Sequence, residues 1–295
     1  MRASVRRVRI ARGLAISIAV ALSSSMAASS MAAPAAAQPA RPAWFYIVAH
    51  RVPELDPVRL PAEAREPARR IVEIERTLRA SRTDPTRDVE LLQQLDAELE
   101  EAWERARIVL DHAALDGSLE PEGWLALGEA RFARASYAAE RALDAGEADP
   151  RAASDPHLRC HDAIAAWRRA AAGDAGTAAW ARYREATCRL GSGELHDARS
   201  ALQIVAASGT DLAPEARFLL GELAFDENDH ATAAAWYARA RSGIADERRA
   251  LVIYKLAWAR WLAGRRDDAR AAIALLPPDA PPDLRAELAE LRDAR

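Results

Sequence analysis

The chain has 295 residues and a formal net charge of −3, half of it apolar and only 6% aromatic. Alanine supplies much of the apolar share, and thirteen glycines with few β-branched runs leave little material for a sheet. The balance excludes a β-rich fold, and a mildly acidic chain argues against nucleic acid, whose binding rests on basic patches that displace counterions.

Residues 1–37 read as a signal peptide. Arg2, Arg6, Arg7, Arg9 and Arg12 precede an apolar stretch from Gly13 to Leu22 that is too short to span a bilayer comfortably. Ala35-Ala36-Ala37 offers an A-x-A cleavage site before Gln38, and Ser25-Met26-Ala27 is a second candidate. With no cysteine nearby, a lipid-anchored product is not expected. Loss of the five arginines takes the net charge to −8, and the expectation is an exported chain, periplasmic or secreted. The alternative is an uncleaved membrane anchor.

Residues 38–62 hold Pro39, Pro42, Pro53, Pro57 and Pro61, which predicts a tether without regular structure. Trp44-Phe45-Tyr46-Ile47-Val48 is oddly apolar for a linker and could dock in cis or on a partner. A helical hairpin is predicted over 63–118. Its first helix runs roughly from Glu66 to Ala80 on Ile71, Ile74 and Leu78. Its second begins near Asp84, an N-cap followed by Pro85, and carries a stripe of Leu92, Leu95, Leu99, Trp103, Ala106, Leu110 and Ala113. Asp116-Gly117 stops it. The acidic run Glu98, Glu100, Glu101, Glu104 reads as its solvated face.

From 119 to 276 the chain repeats itself. Tyr183-Arg184-Glu185-Ala186, Phe218-Leu219-Leu220-Gly221 and Tyr254-Lys255-Leu256-Ala257 read alike, and twelve residues after each small residue stands Ala198, Ala233 or Ala269. A fourth alanine, Ala163, precedes Ala198 by 35 residues. Four residues past these alanines come Trp167, Leu202, Tyr237 and Ile273, and three further on Ala170, Val205, Ala240 and Leu276. A period near 34 built from two helices and a tight turn predicts a helical-hairpin array. The small residue lets the second helix cross closely, so Gly221 and Ala233 are expected to face each other. Gly193-Glu194, Asn228-Asp229 and Gly264-Arg265 mark the turns.

On these residues the sequence resembles the tetratricopeptide-repeat (TPR) family, with Leu220-Gly221, Phe225, Asp229, Ala233, Tyr237 and Ala240 the best copy. Trp124, Leu127, Gly128 and Phe132 match the first helix of one more, into which about 23 residues are inserted. There a first helix lengthened through Leu143 and a loop at Gly146 to Pro156 are expected. The fold class expected is therefore all-α: a TPR-like helical-hairpin solenoid of about four repeats with an N-terminal helical hairpin. Residues 277–295, with Leu284, Leu288 and Leu291 on one face, follow as a Pro-rich turn and capping helix.

The resemblance implies a partner-binding concave side lined by the first helices. Carried over, that face takes Trp180, Tyr183 and Thr187, then Phe218, Glu222 and Phe225, then Tyr254, Trp258 and Trp261. Ordinary interhelix packing is the other reading of these side chains. Catalysis finds little support: there is no G-x-S-x-G, Walker loop, H-E-x-x-H or paired C-x-x-C. His157, Cys160 and His161 could share an ion at i, i+3, i+4 spacing, but no fourth ligand is in view, so no metal and no cofactor are expected. Cys160 and Cys188 could pair after export, and two buried free thiols are the favoured reading.

The expected function is a non-catalytic protein–protein interaction scaffold of the bacterial cell envelope, similar to exported TPR proteins that serve motility, secretion or cell-wall machines. The expected partner is a protein segment, with no nucleic acid and with membrane contact only through an uncleaved signal; oligomeric state is not legible. A carrier for a small ligand or cell-wall fragment is the alternative, and an enzyme-accessory superstructure comes third.

Overall fold

A computed structural model describes residues 55–82, 89–145 and 156–293. The chain divides into two compact units, Met1–Val52 and Pro53–Arg295, and everything below concerns the second. The expected signal peptide, Trp44 to Val48, the expected Asp84-Pro85 cap and all but the last residue of the expected loop from Gly146 to Pro156 lie outside the described residues.

Among the described residues there are eleven α-helices and no strand. They are α1 (Ala62–Arg82), α2 (Val89–Leu115), α3 (Pro121–Ala145), α4 (Pro156–Ala170), α5 (Ala175–Gly191), α6 (Leu195–Ala207), α7 (Ala213–Asp226), α8 (His230–Arg241), α9 (Asp246–Leu262), α10 (Arg266–Ile273) and α11 (Pro282–Asp293). Each packs on the next in sequence, giving a helical-repeat solenoid of hairpins. The α2 stripe from Leu92 to Ala113 is buried throughout and meets Ile71, Ile74 and Leu78 of α1, also buried. Glu98 departs from the expected solvated face, because Arg70 of α1 reaches across to it.

The end of the Pro-rich segment is folded rather than a free tether. Asp56 caps a single 3-10 turn, Pro57–Arg59, by accepting from the Val58 amide at 3.0 Å, and Leu55 and Leu60 are buried. Arg59 then bonds Asp174 at 2.7 Å and lies 3.4 Å from Glu122. Asp174 also caps α5 through the Thr177 amide at 2.8 Å, and these bonds hold its pKa at about 2.

Helix reversals fall where the turn residues stand. Gly193, Asn228 and Gly264 take positive φ of 78°, 62° and 76°. After each, an amide closes back on the helix: Glu194 to the Arg189 carbonyl, Asp229 to Ala224 and Arg265 to Arg260, all at 2.9 Å. These are Schellman closures, and the left-handed residue is what permits them.

Ala163, Ala198, Ala233 and Ala269 are fully buried, and what lies nearest Gly221 is the ring of Tyr237. A side-chain carbon at Gly221 would come within 2.5 Å of the Tyr237 ring, and one at Gly128 within 2.3 Å of Trp167. In both repeats the first-helix glycine makes room for the aromatic ring four residues beyond the alanine. The ring lies in the space that a Cβ would otherwise take. Gly221→Leu should therefore cost roughly 1–3 kcal/mol by overpacking. A thermal melt followed by circular dichroism checks this; a melting temperature equal to that of the wild type would disprove the contact.

Helix α3 is lengthened as expected, ending at Ala145. The C-terminal helix α11 packs on α9 and α10 through buried Leu288 and Leu291, and its Glu287 accepts from the Tyr254 hydroxyl at 2.5 Å.

Candidate functional site

The first helices of the last three repeats, α5, α7 and α9, carry the side chains expected to line a binding face. The structure splits that set in two. Tyr183, Thr187, Phe218 and Glu222 are buried and unavailable to a partner. Tyr183 and Trp180 meet edge to face at 6.1 Å, and Phe218 lies 5.8 Å from Tyr237. Tyr183 with Thr187, and Phe218 with Glu222, stand four residues apart and so share the buried face of their helix. Trp180, Phe225, Tyr254, Trp258 and Trp261 remain part-exposed. Phe225 sits beneath the Lys255 ammonium at 5.6 Å and against His230 at 5.1 Å. Trp258 meets Tyr254 at 6.4 Å, and Arg266 stands over Trp261 at 5.0 Å.

Buried Glu222 belongs to an arrangement that the sequence reading missed. Glu122 and Glu129 of α3 accept from Thr177 and Arg184 of α5, at 2.6 and 2.8 Å. Glu215 and Glu222 of α7 accept from Arg248 and Lys255 of α9, at 2.6 and 2.8 Å. In each pair of helices both the acceptors and the donors are seven residues apart, two helical turns, so the bonds run as rungs between neighbouring first helices. Glu129 and Glu222 each follow the crossing glycine, while Arg184 and Lys255 stand two before Ala186 and Ala257. That spacing was the available signal. It reads as ordinary surface charge because carboxylates are rarely buried unless paired.

Burial pushes the pKa of Glu129 up, against the pull of Arg184 and of the neighbouring Trp167 indole N–H. Burial raises Glu222 likewise, opposed by Lys255 and by the Tyr237 hydroxyl, which also donates to it. Tyr237 is held well above the ordinary phenol value by burial and by Glu222. These groups are closed against one another, an arrangement that joins helices and leaves no acid or base presented to a substrate.

Cys160 of α4 and Cys188 of α5 form a disulfide, with S–S 1.99 Å and Cα–Cα 5.8 Å, which corrects the expectation of two free thiols. It sits in a cluster with Leu125, Ala163, Trp167 and Ala181. Adjacent-helix crossing brings the two cysteines together, and once bonded Cys160 has no thiolate for a metal beside His161. Among the described residues no group of three His, Cys, Asp or Glu is placed to hold a metal ion. None of the described helices is long and apolar enough to cross a membrane.

A groove of about 620 Å³ runs between α5 and α6, lined by Ala178, Ala179, Gln203 and Ile204, the last 53% exposed. It is open to solvent, whereas a small-ligand carrier calls for an enclosed pocket.

Fold and site together define the class: an all-α helical-repeat solenoid, internally cross-linked by buried ion pairs and one disulfide, with aromatic side chains part-exposed along α9. The sequence matches no protein-family model and no curated protein.

Proposed function

We propose that this chain is a non-catalytic, TPR-class scaffold of the bacterial cell envelope that holds a segment of a partner protein against its last repeats. The observation that carries the reading is the α9 stripe. Trp258 and Trp261 both stay part-exposed, while of the equivalent first-helix positions in the third repeat Glu222 is buried and only Phe225 is part-exposed. Part-exposed aromatics with a polar edge are what interface anchors are made of. Export is supported by the five-arginine leader and by the disulfide, a bond that persists in oxidising compartments.

The test is the double variant Trp258→Ala/Trp261→Ala in the full-length protein. Partner capture from the periplasm should be lost while helicity and melting temperature stay close to wild type. A loss of several kcal/mol in stability, the size expected for truncating core aromatics, would instead make the stripe packing beneath α11 and defeat the reading.

A further inference from the structure

Residues 236–270 hold nine basic side chains against four acidic ones, a local charge of +5 inside a chain of −3. Three of those arginines gather at the turn from α9 to α10. Arg260 donates to the Asp268 carbonyl at 2.9 Å, Arg265 donates to the Asp268 carboxylate at 2.7 Å, and Arg266 covers the Trp261 ring at 5.0 Å. Of the three guanidinium groups only Arg265 pairs with the Asp268 carboxylate, and the neighbouring Asp267 carboxylate is taken by Arg270. Arg241, at the end of α8, adds a fourth positive charge. Burial lowers the Arg260 pKa, and Asp268 opposes that while Arg265 and Arg241 add to it.

Elsewhere in the solenoid Arg70, Arg131, Arg168 and Arg199 each meet a carboxylate, Glu98, Asp111, Glu185 and Glu227 respectively, while exposed Arg169 stands over the Trp124 ring at 4.2 Å. Among the described residues neither Arg241 nor Arg266 forms an ion pair. Beside this charge lie Trp261, part-exposed, and Leu262, 41% exposed; with Trp258 they share one face of α9 by i, i+3, i+4 spacing. A field of one sign beside apolar side chains is complementary to carboxylates that flank an apolar residue, and guanidinium groups take carboxylates in paired hydrogen bonds.

We propose that Arg241, Arg260, Arg265 and Arg266, with Trp261 and Leu262, form the docking surface for an acidic peptide segment carrying an apolar side chain among its carboxylates. This rests on the scaffold reading and names the chemistry of its partner. The carboxylates relieve the repulsion among the four arginines, and the apolar side chain covers Trp261 and Leu262.

The experiment titrates the full-length protein with a labelled peptide rich in Asp and Glu and bearing one leucine and one phenylalanine, followed by anisotropy. A lysine-rich peptide of the same length and vesicles of anionic phospholipid serve as comparisons. The acidic peptide should bind, weaken about tenfold or more on going from low to high salt, and leave the lysine peptide behind. Arg241→Glu/Arg266→Glu should cut binding by about tenfold or more with the circular-dichroism melt unchanged, because neither side chain holds a carboxylate in the fold. Equal binding by that variant, no binding at all, or attachment to the vesicles in place of the peptide would each overturn the proposal. If the peptide fails while the Trp258/Trp261 variant still loses its partner, the acidic-segment assignment falls and the scaffold reading stands. If the peptide binds and that variant keeps its partner, the reverse holds.

Discussion

Arg184→Met is expected to destabilise the protein by about 3–5 kcal/mol, the cost of leaving a buried charge without its counter-ion. Both members of the Glu129–Arg184 pair are almost wholly inaccessible, with side chains 2% and 3% exposed, so water cannot replace the lost guanidinium. The neighbouring Trp167 indole N–H is neutral and offsets only part of the loss. The deficit should depend on pH in a defined direction. Burial already raises the Glu129 pKa, and removal of Arg184 raises it further. A carboxyl group that binds its proton more tightly when folded loses stability as pH rises from its unfolded value to its folded one. The variant should therefore lie closest to wild type near the ordinary glutamate value, about pH 4, and fall away toward neutrality. Urea titrations at several pH values measure this. A deficit that does not vary with pH would mean Glu129 is neutral throughout, and no deficit would mean the pair is dispensable. Lys255→Met should cost less, because Glu222 keeps the Tyr237 hydroxyl and the Lys255 side chain is already 18% exposed.

Removing the disulfide through Cys160→Ala/Cys188→Ala should cost roughly 3–4 kcal/mol, from the chain entropy that a cross-link over 28 positions withholds from the unfolded state. The bond ties the start of α4 to the end of α5, so it fixes where the chain re-enters the array after the insertion in the first repeat. A denaturation midpoint matching the oxidised wild type would show that this constraint is redundant with helix packing. Wild type unfolded in the presence of a thiol reductant should reproduce the variant; without reductant it should not.

What the sequence disclosed was governed by period. The α2 stripe, the alanines from Ala163 to Ala269, and Gly193, Asn228 and Gly264 at the turns all stand where regular spacing and local backbone geometry place them. Features set by how helices cross were harder to read. The pairing of Cys160 with Cys188 needs a Cα–Cα distance that spacing along the chain cannot supply. Gly221 was matched to Ala233 because the two are twelve residues apart, and the ring that lies nearest the glycine, Tyr237, stands one helical turn beyond that alanine. The aromatic face was half legible. Aromatics at first-helix positions suit a groove and a core equally, and only the crossing decides which way each ring turns. Tyr183 and Phe218 went inward; Trp258 and Trp261 stayed at the edge.

The rungs between first helices also bear on how such an array can grow or shrink. Acceptors lie on α3 and α7, donors on α5 and α9, and at the position of Glu129 and Glu222 helix α5 has Thr187, whose hydroxyl turns back to its own helix at the Arg184 carbonyl. The hairpins are therefore not interchangeable beads but alternate in kind. Excising any single one would set a carboxylate against a neighbour that has no cation for it, or strand a cation. Excising two consecutive hairpins that share rungs would leave no such mismatch. Variation in length should come in steps of about seventy residues, twice the period of one hairpin.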